Sequence, residues 1–128
     1  MTEEEHVPAY VRQHGPLQTP VRVVQLANEL ATLRLEPVWQ RGERVARTIA
    51  KEGKLRLVLT LMPAGTRLHE HRAEGALTLQ CLAGRLRLEI EATHPLELIE
   101  GELVALDGGV THTAEAVTEC AFLLTIAQ

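Results

Sequence analysis

His69 and His71 are the only two histidines that stand two residues apart, in the run His69-Glu70-His71. On a β-strand, residues i and i+2 project from the same face, so such a run brings two imidazoles to one point and sends Glu70 the other way. Neutral imidazole is a good ligand for divalent transition ions. A third histidine, His112, follows the turn segment Asp107-Gly108-Gly109 and opens a stretch in which His112, Ala114 and Ala116 share a face. The two alanines leave room beside the ring. If the strand that starts near Thr111 lies beside the one that carries His69, then His69, His71 and His112 form a divalent metal site at the wall of a cavity. The other histidines read as surface polar residues: His6 and His14 fall in a polar N-terminal stretch, and His94 precedes Pro95. No GxGxxG, P-loop, nucleophile elbow or CxxC pattern is present. Cys81 and Cys120 sit in alternating apolar segments, where cysteine acts as a small buried hydrophobe.

The elements that must position these side chains are mostly short strands. From Val21 to about Leu35, Leu26, Leu30 and Leu33 recur at helical spacing, and Pro37 stops the helix. After Gly42 the hydrophobic period changes to two. Strands are predicted over Arg44–Lys51, Lys54–Met62, Arg67–Glu70, Leu77–Leu82, Arg85–Ala92, Leu96–Ile99, Leu103–Leu106, Thr111–Val117 and Ala121–Ala127, with Pro95 as a break. In Arg85–Ala92, Leu86, Leu88 and Ile90 alternate with Arg85, Arg87 and Glu89, the pattern of a strand with one wet side. Many short strands, turn signals and one short helix indicate an all-β closed antiparallel barrel or jelly roll. The presumed interior takes Leu55, Leu57, Leu59 and Leu61 from the second strand, then Leu86, Leu88, Ile90, Phe122, Leu124 and Ile126. Residues 1–20, interrupted by Pro8, Pro16 and Pro20, read as a flexible arm, and residues 21–128 as a single domain.

Composition narrows the partners. With 128 residues the chain makes one domain that buries about two thirds of its surface on folding. A formal net charge of -4 supplies no positive field for a phosphate backbone. The only aromatic residues are Tyr10, Trp39 and Phe122, too few for the stacking platform of a single-strand binder, so no nucleic acid is expected. The acidic N-terminus has neither a basic start nor an apolar signal core, and no run approaches the roughly twenty apolar residues of a membrane span. The expectation is a cytoplasmic protein with no membrane partner.

Two stretches resemble the paired motifs of the cupin superfamily of small β-barrels. The first motif runs Gly, five residues, His-x-His, three or four residues, Glu, six residues, Gly, and is similar to GTRLHEHRAEGALTLQCLAG at residues 65–84. The second, Gly, five residues, Pro-x-Gly, two residues, His, three residues, Asn, is similar to GELVALDGGVTHTAEA at residues 101–116, with Asp107 for the proline and Ala116 for the asparagine. Only three residues separate Gly65 from His69. The resemblance covers residues 54–127 and implies a double-stranded β-helix, the jelly-roll cupin barrel, preceded by a short N-terminal helix. It also implies a divalent transition metal, Zn, Ni, Cu, Fe or Mn, on the three histidines His69, His71 and His112. A homodimer that pairs sheet faces and exchanges N-terminal strands is implied as well, with residues 7–24 as the exchanged arm.

One position departs from the family pattern. The usual glutamate ligand corresponds to Leu77, seven residues before Gly84; Glu74 lies too close to His71, and Gln80 has the opposite strand parity to Leu77. Losing that carboxylate weakens a hard cation such as Mn²⁺ more than Zn²⁺, Cu²⁺ or Ni²⁺. Besides the histidines, only Gln80, Glu74, Thr78 and Arg67 add polar chemistry near the motifs. No catalytic residue is assigned. Three functions stay open: an enzyme acting on a small molecule at the metal, a small-molecule or metal-sensing module without turnover, and a structural interaction barrel with vestigial histidines.

Overall fold

In a computed structural model the chain is described over residues 21–71, 73–91 and 94–127, the side chains of Glu70, His71 and His94 excepted. The arm expected over residues 1–20 lies outside the described residues. Two short helices, α1 (Leu26–Leu33) and α2 (Pro37–Gln40), precede nine strands among the described residues. These are β1 (Val45–Glu52), β2 (Leu55–Met62), β3 (Arg67–His71), β4 (Ala76–Ala83), β5 (Arg85–Ile90), β6 (His94–Ile99), β7 (Leu103–Leu106), β8 (His112–Ala116) and β9 (Cys120–Ala127). They form a five-stranded sheet in the order β1-β2-β9-β4-β7 and a four-stranded sheet in the order β3-β8-β5-β6. Every pairing is antiparallel. No helix among the described residues is long and apolar enough to cross a membrane.

The all-β expectation holds, with local corrections. The helix starts at Leu26 because residues 21–25 are not helical, and Pro37 opens α2 instead of only ending α1. Proline fits there because the first helical N–H has no partner to lose. Pro95 does not break a strand but lies within β6, opposite Glu89. β6 is an edge strand, the place in a sheet where a missing N–H is tolerated. β5 ends at Ile90, before Glu91, whose φ of 52° lies in the left-handed region.

The last correction concerns which leucines face inward. Between the sheets, Met62, Leu79, Cys81 and Phe122 pack against Leu86, Leu88, Leu98, Ala114 and Ala116. Thr60 pairs with Phe122 and Met62 with Cys120, so the even-numbered side of β2 faces the interior. Leu57, Leu59 and Leu61 lie on the opposite side, in a second core with Leu33, Val45, Ile49 and Ala121 and with Leu26 and Leu30 of α1. Both faces of β2 are therefore buried in its second half. A strand covered on both sides shows no wet face, and its alternation cannot tell inside from outside. Arg47 fastens the helices to this outer face, reaching Glu36 at 2.9 Å and Glu29 at 3.8 Å. The outer face of the other sheet is wet as expected: Arg87 stands opposite Glu97 and Glu115, and Arg85 pairs with Glu97 at 3.5 Å.

Cys81 and Cys120 are free and buried, as the apolar pattern predicts. Burial, with the neighbouring Cys81 and Glu119 adding to it, pushes the Cys120 thiol from 9.0 to about 12. Burial also raises Cys81; a backbone hydrogen bond at Ala83 opposes this, and Glu100 and Glu102 reinforce it. In the unfolded chain Cys120 ionises near its ordinary value while the native thiol stays neutral, so above that value the unfolded state holds fewer protons. Stability from this group is complete below about pH 9 and is lost toward pH 12, at a slope approaching about 1.4 kcal/mol per pH unit. Urea midpoints measured between about pH 8 and 10.5 should fall more steeply for the native sequence than for Cys120→Ala; equal slopes would contradict the assignment.

Candidate metal centre and ligand cavity

The cavity that carries polar chemistry lies inside the barrel and has a volume of about 130 Å³. Its closed end is built by β8, β2 and β9, which contribute His112, Ala114, Thr60, Phe122 and Leu124. Leu68 of β3 and Leu79 of β4 add apolar wall, and Arg44 and Ala46, both exposed, form the open side. His112 is 2% exposed and Thr60 is 6% exposed, which makes them the buried polar residues of the described core. Ala114 leaves the space beside the imidazole that the spacing of β8 predicts.

Backbone packing sets where His112 enters. The Gly109 N–H donates to the Ala73 carbonyl at 2.8 Å, which ties the turn before β8 to the loop after β3. A Cβ at Gly108 would stand 2.2 Å from the Glu74 carbonyl oxygen, so only glycine allows that approach. The His112 Nδ1 lies 3.3 Å from the Val110 carbonyl. A ring that donates from Nδ1 to a carbonyl carries its lone pair on Nε2, the tautomer that a metal ligand needs.

The three predicted ligands do not occupy equivalent places. His71 stands opposite His112 in the β3–β8 register, next to the pair Leu68 and Ala114. Between those two pairs the register shifts, with one more residue on β3 than on β8. Such a bulge interrupts strict alternation, and the i, i+2 argument for a shared face does not carry across it. Leu68 packs on the interior core, whereas His69 is exposed. Among the described residues, no three His, Cys, Asp or Glu side chains gather as a metal site. The His71 side chain lies outside those residues.

Leu77 is 5% exposed and stands opposite Ile126 and Leu106, so its place in the barrel wall carries no carboxylate. Gln80 pairs with Leu123, which belongs to the helix-covered core, so it is no replacement donor to the interior. Glu74 is exposed. Sequence reasoning missed Thr60 and Arg44, since β2 had been placed with its leucines inward. A larger concavity of about 340 Å³ lies around Ala76, Thr78, Ala105, Asp107, Thr125 and Ala127. Its only titratable side chain is Asp107, and no cluster of donors converges there.

No protein-family model matches the sequence, and no curated protein matches it. Solved structures do match. A Streptococcus pyogenes protein of unknown function superposes with a TM-score of 0.69 at 20% identity, over 84% of this chain and 87% of that one. A cupin-2 domain protein from Shewanella frigidimarina gives 0.66 at 16% identity, over 83% of this chain and 95% of that one. An RmlC-like cupin with a double-stranded β-helix fold, from Methanocaldococcus jannaschii, gives 0.62 at 17% identity, over 67% of this chain and 81% of that one. The chain has the cupin fold. In this cupin fold, the strand pair β3–β8 sets His71 opposite His112, and Leu77 places buried hydrocarbon in the wall.

Proposed function

We propose that this chain is a small metal-binding cupin barrel whose cavity takes a small molecule beside the ion. A divalent transition ion is held by His112 and His71, the pair set in register on β3 and β8, while His69 is exposed. The observation that carries the reading is His112 itself, a buried imidazole in the wall of an open cavity, tethered through Nδ1 and opposite a second histidine in register. The donor set fits borderline ions: it is nitrogen only, with Leu77 in place of a hard oxygen ligand, and so favours Zn²⁺, Ni²⁺ or Cu²⁺ over Mn²⁺. When bound, such an ion supplies Lewis acidity toward an oxygen or nitrogen of the cavity ligand.

The chain's own residues equip the cavity to hold a ligand more than to transform it. Among the described residues its polar lining is His112, Thr60 and Arg44, with no carboxylate to act as acid or base. Thr60 can accept or donate one hydrogen bond at the closed end, and the leucines and Phe122 exclude water. Binding without turnover is the activity proposed.

Cobalt(II) titration followed by visible absorption tests the metal reading. The native chain is expected to take up one ion per chain. His112→Ala and His71→Ala should each weaken uptake by at least about 100-fold, with near-UV circular dichroism unchanged. A native chain that takes up no ion, or a His112→Ala variant that binds as well as the native chain, would overturn the proposal.

A further inference from the structure

We infer that the cavity selects a small aliphatic carboxylate, with Arg44 holding the carboxylate group and the apolar wall holding the hydrocarbon. This deepens the reading of the cavity as a ligand site and does not depend on the ion. Ala46 stands opposite Thr60 in the β1–β2 register, and Arg44, two residues earlier, reaches the same cavity from its open side. Arg44 makes no ion pair among the described residues. Its neighbour Glu43 is taken by Arg41 at 3.3 Å, while Arg47 is taken by Glu36 and Glu29. An exposed arginine that lines a low-dielectric cavity attracts an anion, and its guanidinium offers a planar fork that matches a carboxylate.

Size and polarity complete the assignment. The volume of about 130 Å³ is close to that of an engineered apolar cavity of about 150 Å³ that admits benzene, so the ligand has on the order of six non-hydrogen atoms. Leu68, Leu79, Phe122 and Leu124 accept a short hydrocarbon chain, and the hydroxyl of Thr60, a buried residue, serves one polar atom. Sugars need several hydroxyl partners that this wall lacks. A short monocarboxylate needs one charged anchor and little else.

Butyrate and its neutral isostere butyramide are the probes, titrated by NMR against the full chain in the presence of a chelator so that no metal ion can hold the carboxylate. The readout is the methyl shifts of Thr60 and Ala114. Saturable butyrate binding is expected, at least about tenfold tighter than butyramide, and weakened by salt. Arg44→Gln, an exposed substitution that leaves the core intact, should weaken butyrate by at least about tenfold and abolish its advantage over butyramide. Equal affinity for acid and amide in the native chain, butyrate affinity unchanged by Arg44→Gln, or no methyl shift with either probe would each overturn the inference. Cobalt uptake is scored separately: butyrate binding without cobalt uptake removes the ion and keeps Arg44, and cobalt uptake without butyrate binding does the reverse.

Discussion

Gly84→Ala is expected to destabilise the fold by about 3–5 kcal/mol, a large share of the roughly 5–15 kcal/mol that holds a domain of this kind together. Gly84 is the point where the chain leaves the five-stranded sheet at the end of β4 and enters the four-stranded sheet as β5. Its φ is 79°, a conformation that alone costs an L side chain about 1–2 kcal/mol. A Cβ there would also stand 2.1 Å from the Glu119 carbonyl oxygen and 2.9 Å from the Cys120 Cα. Both are backbone atoms and cannot rotate away. The same crossing is held by the Arg85 N–H donating to Thr118 Oγ1 at 3.0 Å and the Val117 N–H donating to the Arg85 carbonyl at 3.0 Å. Relief of the clash therefore strains the start of β5 and the start of β9 together. Gly65→Ala is the control, because Gly65 has a φ of 86° but nothing within 4 Å of the added atom. It should cost only the conformational term of about 1–2 kcal/mol. Urea denaturation of the two variants checks this; equal losses would mean that the close approach at Gly84 carries no weight.

Leu61→Ala is expected to cost about 2–5 kcal/mol and to loosen α1 before it affects the barrel interior. Leu61 is 0% exposed and packs in the core between the five-stranded sheet and the helices. Removing its side chain leaves a void beside Leu33, the residue by which α1 is buried. An eight-residue helix has little stability of its own and depends on such packing. Amide exchange in α1 should accelerate, while the NMR signals of the His112 ring and the Ala114 methyl stay near their native positions. A loss below about 1 kcal/mol, or shifts at His112 with α1 unchanged, would instead place Leu61 inside the barrel.

Leu61 also marks where the sequence stops being legible. The strands could be read because polar and apolar residues alternate wherever one face is wet, as in β5, and because Pro63-Ala64-Gly65 and Asp107-Gly108-Gly109 punctuate them. β2 carried no such label, since a helix distant in the pairing covers its second face. For the site, the spacing around His112 leads to a buried residue beside Ala114. The exposed place of His69 was hidden, because a bulge between Leu68 and His71 breaks the alternation from which a shared face was inferred. Thr60 and Arg44 were hidden for the same reason as Leu61: the inward side of β2, and hence what stands opposite it on β1, depends on which apolar face the helix takes.

The scarcity of aromatic residues acquires a structural meaning in this cavity. Among the described residues Phe122 is the sole Phe, Tyr or Trp in its wall, and aliphatic side chains supply the rest of the apolar lining. Such a wall suits a short hydrocarbon better than a ring that needs stacking.

The most direct test of the metal-holding barrel is anomalous diffraction at the zinc edge from crystals of the full chain grown with zinc. The account predicts one strong anomalous peak per chain, bonded to His112 and His71 at the wall of the cavity, and its loss in His112→Ala. Zinc found only at surface carboxylates and histidines, with no peak at His112, would contradict it.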